Sequence, residues 1–407
     1  MIRILSFKDA QSLIVRKTVR LAEAELIVAP ILADVRDRGD RALLEYARKF
    51  DGFEGASMRI PVQGSLAPAF AEAVAIAAKN IREYAQAQLP REWFVDHPDG
   101  RRLGQIVRPL DAMGAYVPAG RYPLPSTLLM TVIPAQVAGV ATTCVACPNP
   151  SPEIMGIAQW LGVTHLFRMG GAQAIAALAY GTETVPKVDR IVGPGNIYVA
   201  AAKKLIAGET GIDFVAGPTE IVIIAADGDP RWIAADLLAQ AEHDVDASAI
   251  LLTTSRRLAE AVAINVTRQL ETLPTAAVAR ASIEANGAIV VLDTLDQAVE
   301  FSNALAPEHL ALHDGSLLAK IRHAGAVFVG ASSPESAGDY ASGPNHVLPT
   351  SGAARLRGGL SAADFVKVIA VQELSREGLA NLTPAITALA RAEGLEAHAR
   401  SAEVRGE

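Results

Sequence analysis

The chain has 407 residues, of which 50% are hydrophobic and 20% are charged, which is typical of a folded protein with two or three domains. The net charge of −7 argues against nucleic-acid and anionic-membrane partners, and the aromatic content of 5% offers no base-stacking platform. Apolar runs fall short of the roughly 20 residues that span a bilayer, and the amino terminus lacks the apolar core of a secretion signal. We therefore expect a cytoplasmic protein.

The two cysteines, Cys144 and Cys147, have the spacing of a redox pair or of half a metal site. They lie within an apolar run of small residues, and the sequence has no second pair with this spacing. We interpret them as thiols of a buried strand, which fits a reducing compartment.

In chain order, residues 1–105 predict a helical N-terminal segment and residues 106–219 predict a first Rossmann-like domain of alternating strands and helices. Residues 220–360 repeat this alternation and predict a second Rossmann-like domain, and residues 361–407 predict a helical C-terminal tail, whose last helix begins at Pro384. Short connections with Gly and Pro indicate βαβ units and mostly parallel sheets. The predicted fold class is α/β.

Five unusual stretches are expected at the carboxyl ends of strands, where open α/β sheets bind ligands. They are Tyr116–Gly120, Gly170–Gln173, Gly193–Asn196, Gly217–Glu220 and Pro307–His309. Asn196 is expected to cap a helix, and the glycines before it would let a phosphate approach the helix N-terminus. The sequence contains neither a GxGxxG fingerprint nor a Walker A loop, so an ordinary turn is the alternative.

A helix predicted to begin near Pro230 carries Gln240 and His243, three residues apart and therefore on one face. Several carboxylates surround them, so the pair is either a solvated surface group or half of a metal site. A zinc ion would require further nitrogen or oxygen ligands from elsewhere in the chain.

Pro307–Glu308–His309 places two proton-transfer groups side by side, and both would serve one site only if the backbone is irregular there. A surface loop is the alternative. Asp339, in a polar stretch rich in turn formers, and His398, in the tail, are candidate ligands. With Gln240 and His243 they would form a set compatible with zinc, although sequence spacing does not show that the four meet.

Seven sequence stretches between Tyr116 and Ala399 resemble those of one known protein family and occur in the same order along the chain. They are YVPAGRYPLPSTLLM, GGAQAIAALAYGTETVPKVDRIVGPGN, AGPTEIVI, DLLAQAEHD, APEHL, SPESAGDYASGPNHVLPTSG and EGLEAHA. The sequence resembles the histidinol dehydrogenase family. This resemblance implies oxidation of L-histidinol to L-histidine through L-histidinal, with two NAD and a zinc ion, in the last steps of histidine biosynthesis.

The resemblance also implies roles for individual residues. His309 would take the alcohol proton, and Glu308 would activate the water that attacks the aldehyde-level intermediate. The implied zinc ligands are Gln240, His243, Asp339 and His398. The implied NAD-binding residues are Tyr116, Gln173 and Asn196. The substrate would contact the zinc ligands and also Thr219, His309 and Glu393. The family forms a homodimer with exchanged segments, so Glu393 and His398 would come from the partner.

Three positions depart from the family pattern: Ala119 replaces a glycine, Thr219 replaces a serine and Val368 replaces an arginine. A related branch oxidises sulfopropanediol and is compatible with threonine at position 219, so a zinc- and NAD-dependent polyol dehydrogenase is the second hypothesis. Glu393 favours a cationic amine over a sulfonate. A non-catalytic metal- or nucleotide-binding protein is the third hypothesis, and the pair of Glu308 and His309 argues against it.

Overall fold

The structure is a computed structural model that describes residues 2–14, 21–118 and 123–406. Ala119 lies outside the described residues. Within these ranges the chain forms three sheets. Their strands are β1 (Arg3–Ser6), β2 (Arg59–Ile60), β3 (Trp93–Asp96), β4 (Arg101–Pro109), β5 (Ala112–Tyr116), β6 (Thr142–Ala146), β7 (His165–Phe167), β8 (Arg190–Val192), β9 (Gly211–Ile212), β10 (Glu220–Ile224), β11 (Ser248–Thr253), β12 (Ala288–Val291), β13 (His309–Leu312), β14 (Ala326–Val329) and β15 (Val366–Leu374).

The helices alternate with these strands over much of the chain. They are α1 (Gln11–Ile14), α2 (Leu21–Arg38), α3 (Asp40–Asp51), α4 (Pro68–Ala87), α5 (Pro125–Ala138), α6 (Pro152–Leu161), α7 (Gly171–Tyr180), α8 (Ile197–Ile206), α9 (Pro230–Ala241), α10 (Arg256–Leu270), α11 (Ala276–Asn286), α12 (Leu295–Leu305), α13 (Glu335–Tyr340), α14 (Arg376–Ala392) and α15 (Glu396–Glu403). Short 3-10 helices lie at Gly315–Lys320, Ala353–Arg355 and Ala362–Phe365. In the described ranges, none of the helices has the length and apolarity needed to cross a membrane.

The first sheet has the strand order β2-β7-β6-β5-β8-β9. All neighbours pair in parallel except the edge strand β2, which runs antiparallel to β7. The five parallel strands follow the 3-2-1-4-5 order of a Rossmann-like sheet. Helices α2, α3, α7 and α8 pack on one face, and α4, α5 and α6 pack on the other.

The second sheet has the order β1-β12-β11-β10-β13-β14 and is parallel throughout. Strands β10 to β14 repeat the 3-2-1-4-5 order, and β1 extends the edge. Helices α9, α10 and α11 cover one face, and α1 and α12 cover the other. The predicted α/β fold class, with two Rossmann-like units, is confirmed.

Two predictions about the chain's ends are wrong in secondary structure. The N-terminal residues are not only helical, because β1 joins the second sheet, and β3 pairs with β4 in a third, antiparallel sheet with the order β15-β4-β3. The tail likewise begins with β15, which pairs along nine residues of β4. Most of β15 is exposed, including Val368. A strand without one buried face does not need alternating apolar and polar residues, so the sequence pattern did not mark it as a strand.

The last long helix also begins earlier than Pro384. Its first residue is Arg376, since the Ser375 hydroxyl caps the helix by accepting a hydrogen bond from the Gly378 amide at 3.0 Å. Pro384 lies inside α14. The two cysteines are free and buried, as predicted, but only Cys144 lies in a strand, since Cys147 directly follows β6. Burial raises the pKa of Cys144 to about 12 and that of Cys147 to about 11.

Candidate active site

Glu308 and His309 point at the same group of atoms, although they are neighbours in sequence. Ala306 turns the chain between α12 and β13 with a left-handed φ of 51°, which supplies the backbone irregularity that such convergence needs. The Glu220 amide donates to Glu308 Oε2 at 2.9 Å, and His309 Nδ1 lies 3.3 Å from the Glu220 carbonyl oxygen. With Nδ1–H donating to that carbonyl, Nε2 is the nitrogen free to accept a proton.

The Thr219 hydroxyl connects the acid–base pair to Gln240. It donates to Glu308 Oε2 and accepts a hydrogen bond from Gln240 Nε2 at 2.6 Å. Gln240 is 1% exposed, and within the described chain its Oε1 is buried without a hydrogen-bond partner. Because the amide nitrogen is occupied, the amide oxygen is the atom left to meet a cation or an N–H group.

This cluster lies at the amino ends of its strands, which corrects the prediction of carboxyl ends for Gly217–Glu220 and Pro307–His309. Thr219 immediately precedes β10, and His309 opens β13. The two strands are neighbours, with His309 opposite Ile221. Gly217–Glu220 leads into β10, and Pro307–His309 leads into β13, a strand of four residues that the sequence did not predict.

The C-terminal end of α9 brings Gln240 and His243 to this edge. Asp229 caps the start of the helix by accepting from the Arg231 amide at 2.8 Å, and the helix ends at Ala241, so His243 lies just beyond it. Solvent reaches His243, yet the protein around it lowers its pKa by desolvation, which the charge of Asp339 partly offsets. His243 is therefore a neutral nitrogen donor within electrostatic range of Asp339 and His309.

Asp339 and His346 close the other side of the cluster. Asp339 Oδ1 lies 3.4 Å from His309 Nε2, and the Asp339 carbonyl oxygen lies 2.7 Å from His346 Nδ1. Burial alone would raise the pKa of Asp339, but the contact with His309 outweighs it and lowers this pKa. His346 Nε2 lies 3.4 Å from the Thr127 hydroxyl on α5, so the cluster reaches the first Rossmann-like unit.

The surrounding protein strongly shifts the pKa values of Glu308 and His309. Burial raises the pKa of Glu308 to about 7, against the opposing charge of His309 and the hydrogen bond from Thr219. Burial would lower the pKa of His309, but the surrounding carboxylates, Glu308 first, raise it to about 10. Glu308 thus titrates near neutrality, where proton transfer is most efficient, whereas the surrounding carboxylates favour the protonated form of His309.

The cofactor candidates form a second cluster at the carboxyl edge of the first sheet. The Tyr116 hydroxyl, at the end of β5, accepts from the Gly171 amide at 3.1 Å, and Gln173 Nε2 donates to Asp51 at 3.1 Å. Tyr116 and Gln173 are buried. Asn196 follows β8, the neighbour of β5, and caps α8 by accepting from the Tyr198 and Val199 amides at 3.1 Å. Neutral side chains and a helix N-terminus make this edge suitable for a phosphate-containing ligand.

Glu393 and His398 stand apart from both clusters in the single chain. Glu393 ends α14, His398 lies in α15, and both side chains are exposed. Among the described residues, no hydrogen bond or ion pair joins either of them to the other predicted site residues. Accordingly, no group of three or more His, Cys, Asp or Glu residues in the described chain is arranged to hold a metal ion.

Glu335 and Asp236 belong to the candidate site but were not singled out from the sequence. Glu335 is 2% exposed, both of its carboxylate oxygens are buried without a hydrogen-bond partner in the described chain, and burial raises its pKa well above the usual range. Burial also raises the pKa of Asp236 to about 6. Each lies four residues before a predicted ligand, Asp339 or Gln240, so helical spacing was the available signal.

Comparisons with known proteins identify similar sequences over nearly the whole chain. The sequence model of the family described as histidinol dehydrogenase matches residues 14–406. The chain is 50% identical over 399 residues to histidinol dehydrogenase from Geobacillus kaustophilus (strain HTA426), with 94% of each chain covered. It is 48% identical over 401 residues to the Geobacter metallireducens enzyme of the same name, covering 94% of this chain and 92% of that one.

A crystal structure of histidinol dehydrogenase from Elizabethkingia anophelis superposes on the chain with a TM-score of 0.93. The two sequences are 36% identical, and the superposition covers 99% of this chain and 98% of the other.

Proposed function

Because the chain belongs to the histidinol dehydrogenase family, we propose that it oxidises L-histidinol to L-histidine through L-histidinal with two molecules of NAD and one bound zinc ion. The observation that carries this proposal is the Thr219 bridge. One hydroxyl joins Glu308, a candidate proton-transfer group, to Gln240, a candidate metal ligand. A site for binding alone would not require a carboxyl group whose pKa lies near 7 at its centre.

The donor atoms fit zinc. Gln240 offers a buried oxygen without a partner, His243 offers a neutral imidazole nitrogen, and Asp339 offers a carboxylate whose pKa is lowered. A fourth donor is needed for the tetrahedral coordination that zinc prefers, and His398 of a second copy would supply it. When bound, zinc supplies a fixed positive charge that orients the substrate, and NAD supplies the acceptor for both hydrides.

Side chains of the protein then accept the protons of the substrate and of the attacking water. His309 Nε2 accepts the proton of the substrate hydroxyl, which leaves a carbonyl once the hydride departs. Glu308 accepts a proton from the water that adds to this carbonyl. The resulting hydrate anion gives up its hydride and becomes the carboxylic acid, which releases its proton to solvent and leaves the carboxylate. The Glu220 main chain holds both side chains in place through its amide and its carbonyl oxygen.

NAD is proposed to bind along the carboxyl edge of the first sheet, against Tyr116, Gln173 and Asn196. This edge faces the catalytic cluster across the contact between His346 and Thr127. Asn345 Nδ2 also donates to the Met130 carbonyl oxygen at 2.6 Å, which holds the polar loop before β15 against α5. These contacts support a cofactor position next to the residues proposed to bind the substrate.

The exposed positions of Glu393 and His398 support a homodimer in which each tail completes the partner's site. Glu393 would then contact the cationic amine of the substrate, and Thr219 would line the pocket. The two buried cysteine thiols support a cytoplasmic location, where thiols stay reduced.

The test is the amount of NADH formed when the purified, zinc-loaded protein consumes L-histidinol to completion. The proposal predicts two NADH per substrate and histidine as the product. One NADH per substrate would contradict the double oxidation. No NADH with zinc in place, together with turnover of sulfopropanediol, would favour the related polyol dehydrogenases and make Thr219 the residue to examine.

A further inference from the structure

A buried ion pair lies directly behind the Gly193–Asn196 turn. Lys203 of α8 pairs with Asp213, which follows β9, and their side chains are 2% and 0% exposed. Charged side chains are rarely buried to this extent unless they are both paired and hydrogen-bonded. The pair therefore needs further partners, and it finds them in the main chain of the turn.

Both peptide groups of Gly193 are held by this pair. Lys203 Nζ donates to the Gly193 carbonyl oxygen at 3.0 Å, and the Gly193 amide donates to Asp213 Oδ2 at 2.8 Å. Gly193 has a φ of +110°, and a Cβ atom there would collide with the Tyr116 carbonyl oxygen. The first residue of the turn is thus fixed by the strand end on one side and by the ion pair on the other.

Asp213 is itself anchored by groups outside the turn. Its Oδ1 accepts from the Phe214 amide at 2.7 Å, and its carbonyl oxygen accepts from Arg357 Nη1 at 2.5 Å. Arg357 also donates to Asp364 at 2.8 Å. The ion pair therefore connects the turn of the first Rossmann-like unit to the segment that follows the second one.

Stability alone does not account for charged residues at these positions. Apolar side chains of similar volume often replace a buried ion pair with no loss of stability. They would, however, leave both Gly193 peptide groups without a side-chain partner and free the turn to shift. Orientation of the turn is the property that the charged pair supplies and an apolar pair does not.

We propose that Lys203 and Asp213 are positioning residues that hold the Gly193–Asn196 turn in the geometry that NAD requires. This inference rests on the proposed function, because it takes the turn to be part of the NAD site. Neither side chain needs to touch the cofactor. Their effect passes through the Gly193 main chain to Asn196 and to the N-terminus of α8.

The test is the double variant Lys203→Met/Asp213→Leu, which removes both contacts to Gly193 and leaves no unpaired buried charge. Loss of hydrogen bonds to charged groups predicts a rise of about tenfold or more in the KM for NAD and in the Kd for NADH. The KM for L-histidinol and the zinc content should match those of the unaltered protein. NADH fluorescence gives the Kd without turnover.

Ser282→Ala is the matched control, because Ser282 is also fully buried and donates one hydrogen bond, to the Ala247 carbonyl oxygen at 2.9 Å, far from the turn. It should lower thermal stability and leave both KM values unchanged. If the double variant does not fold, Lys203→Met/Asp213→Asn replaces it, because this pair also leaves no unpaired buried charge, removes the contact to the Gly193 carbonyl oxygen and keeps an amide oxygen that accepts from the Gly193 amide. This variant should raise the KM for NAD about threefold, again selectively.

Unchanged NAD affinity in a folded variant, or equal rises in both KM values, would overturn the inference. A failure of the proposed function looks different, because the unaltered protein would then form no NADH from L-histidinol or bind no NADH.

Discussion

The two Rossmann-like sheets share one strand order but use opposite edges. In the first sheet, the polar cluster lies at the carboxyl ends of the central strands β5 and β8, around Tyr116 and Gly193. In the second sheet, it lies at the amino ends of the corresponding strands β10 and β13, around Glu220 and His309. Corresponding strands of two similar sheets thus carry their polar clusters at opposite ends.

The two edges also differ in the polar groups that they present. The carboxyl edge presents neutral side chains, main-chain amides and a helix N-terminus, which bind a phosphate-containing ligand without proton transfer. The amino edge buries carboxylates and histidines whose pKa values are shifted, as catalysis of proton transfer requires. Because Thr127 of the first unit contacts His346 of the second, the proposed cofactor would lie beside the proton-transfer groups.

Replacing the base on the amino edge should have the largest effect. His309→Asn should lower turnover by roughly 10²–10⁴-fold, because general acid–base catalysis contributes about that much. Zinc content should stay at the level of the unaltered protein, since His309 is not among the proposed ligands. Steady-state kinetics and metal analysis of the same preparation give both values, and loss of zinc would show that the assigned role is wrong.

Removing a proposed metal ligand should weaken the binding of zinc and of the substrate more than it slows proton transfer. His243→Ala should lower zinc affinity by more than the roughly 10–100-fold typical of residues that only support a ligand. The KM for L-histidinol should rise with it. Competition with a chelator measures the affinity. The control is Asp246→Ala, an exposed acid three residues away that should change neither value, and equal effects of the two variants would contradict the assignment.

A change on the carboxyl edge should affect the cofactor alone. Gln173→Ala removes the hydrogen bond to Asp51 and the buried amide beside Gly171, so the KM for NAD should rise roughly three- to tenfold. Zinc content and the KM for L-histidinol should not change. A rise in the KM for L-histidinol alone would contradict the assignment of NAD to the edge of the first sheet and of the substrate to the edge of the second.

The smallest effect concerns stability and pH. Burial raises the pKa of Asp236 to about 6, so from roughly pH 4 to 6 the folded chain keeps a proton that the unfolded chain releases. The free energy of unfolding therefore falls as pH rises through this window, and the loss persists above it. Asp236→Asn should raise stability by roughly 3 kcal/mol at pH 8 and leave it unchanged near pH 4.

Thermal unfolding at several pH values measures this effect, with exposed Asp246→Asn as the control that should behave like the unaltered protein. A stabilisation of Asp236→Asn that is equal at pH 4 and pH 8 would rule out the titration of Asp236 as its cause.

Sequence reasoning predicted the alternating core of the fold because apolar strands and capped helices follow each other in regular order from β5 to β14. It missed β1, β2, β3, β9, β13 and β15, which are either two to four residues long or mostly exposed and therefore lack a clear periodicity. Missing β13 also placed Glu308 and His309 at the wrong end of their sheet.

The candidate site was predictable in part. Helical spacing brought Gln240 and His243 together, and the adjacent Glu308 and His309 marked a proton-transfer pair. Glu335 was missed because an acid at the start of a short helix looks like a solvated residue until its burial is known. In the proposed homodimer, the distance between His398 and the cluster would depend on how the two chains pack, which sequence periodicity does not encode.

The most direct test of the two-edge account is a crystal structure of the protein loaded with zinc and NADH, with anomalous data at the zinc edge. The account predicts one zinc peak per site, bound by Gln240, His243 and Asp339 and by His398 of the partner subunit. It also predicts NADH along Tyr116, Gln173 and Asn196. A zinc peak away from the amino edge of the second sheet, or NADH bound at that edge without contact to the first sheet, would contradict it.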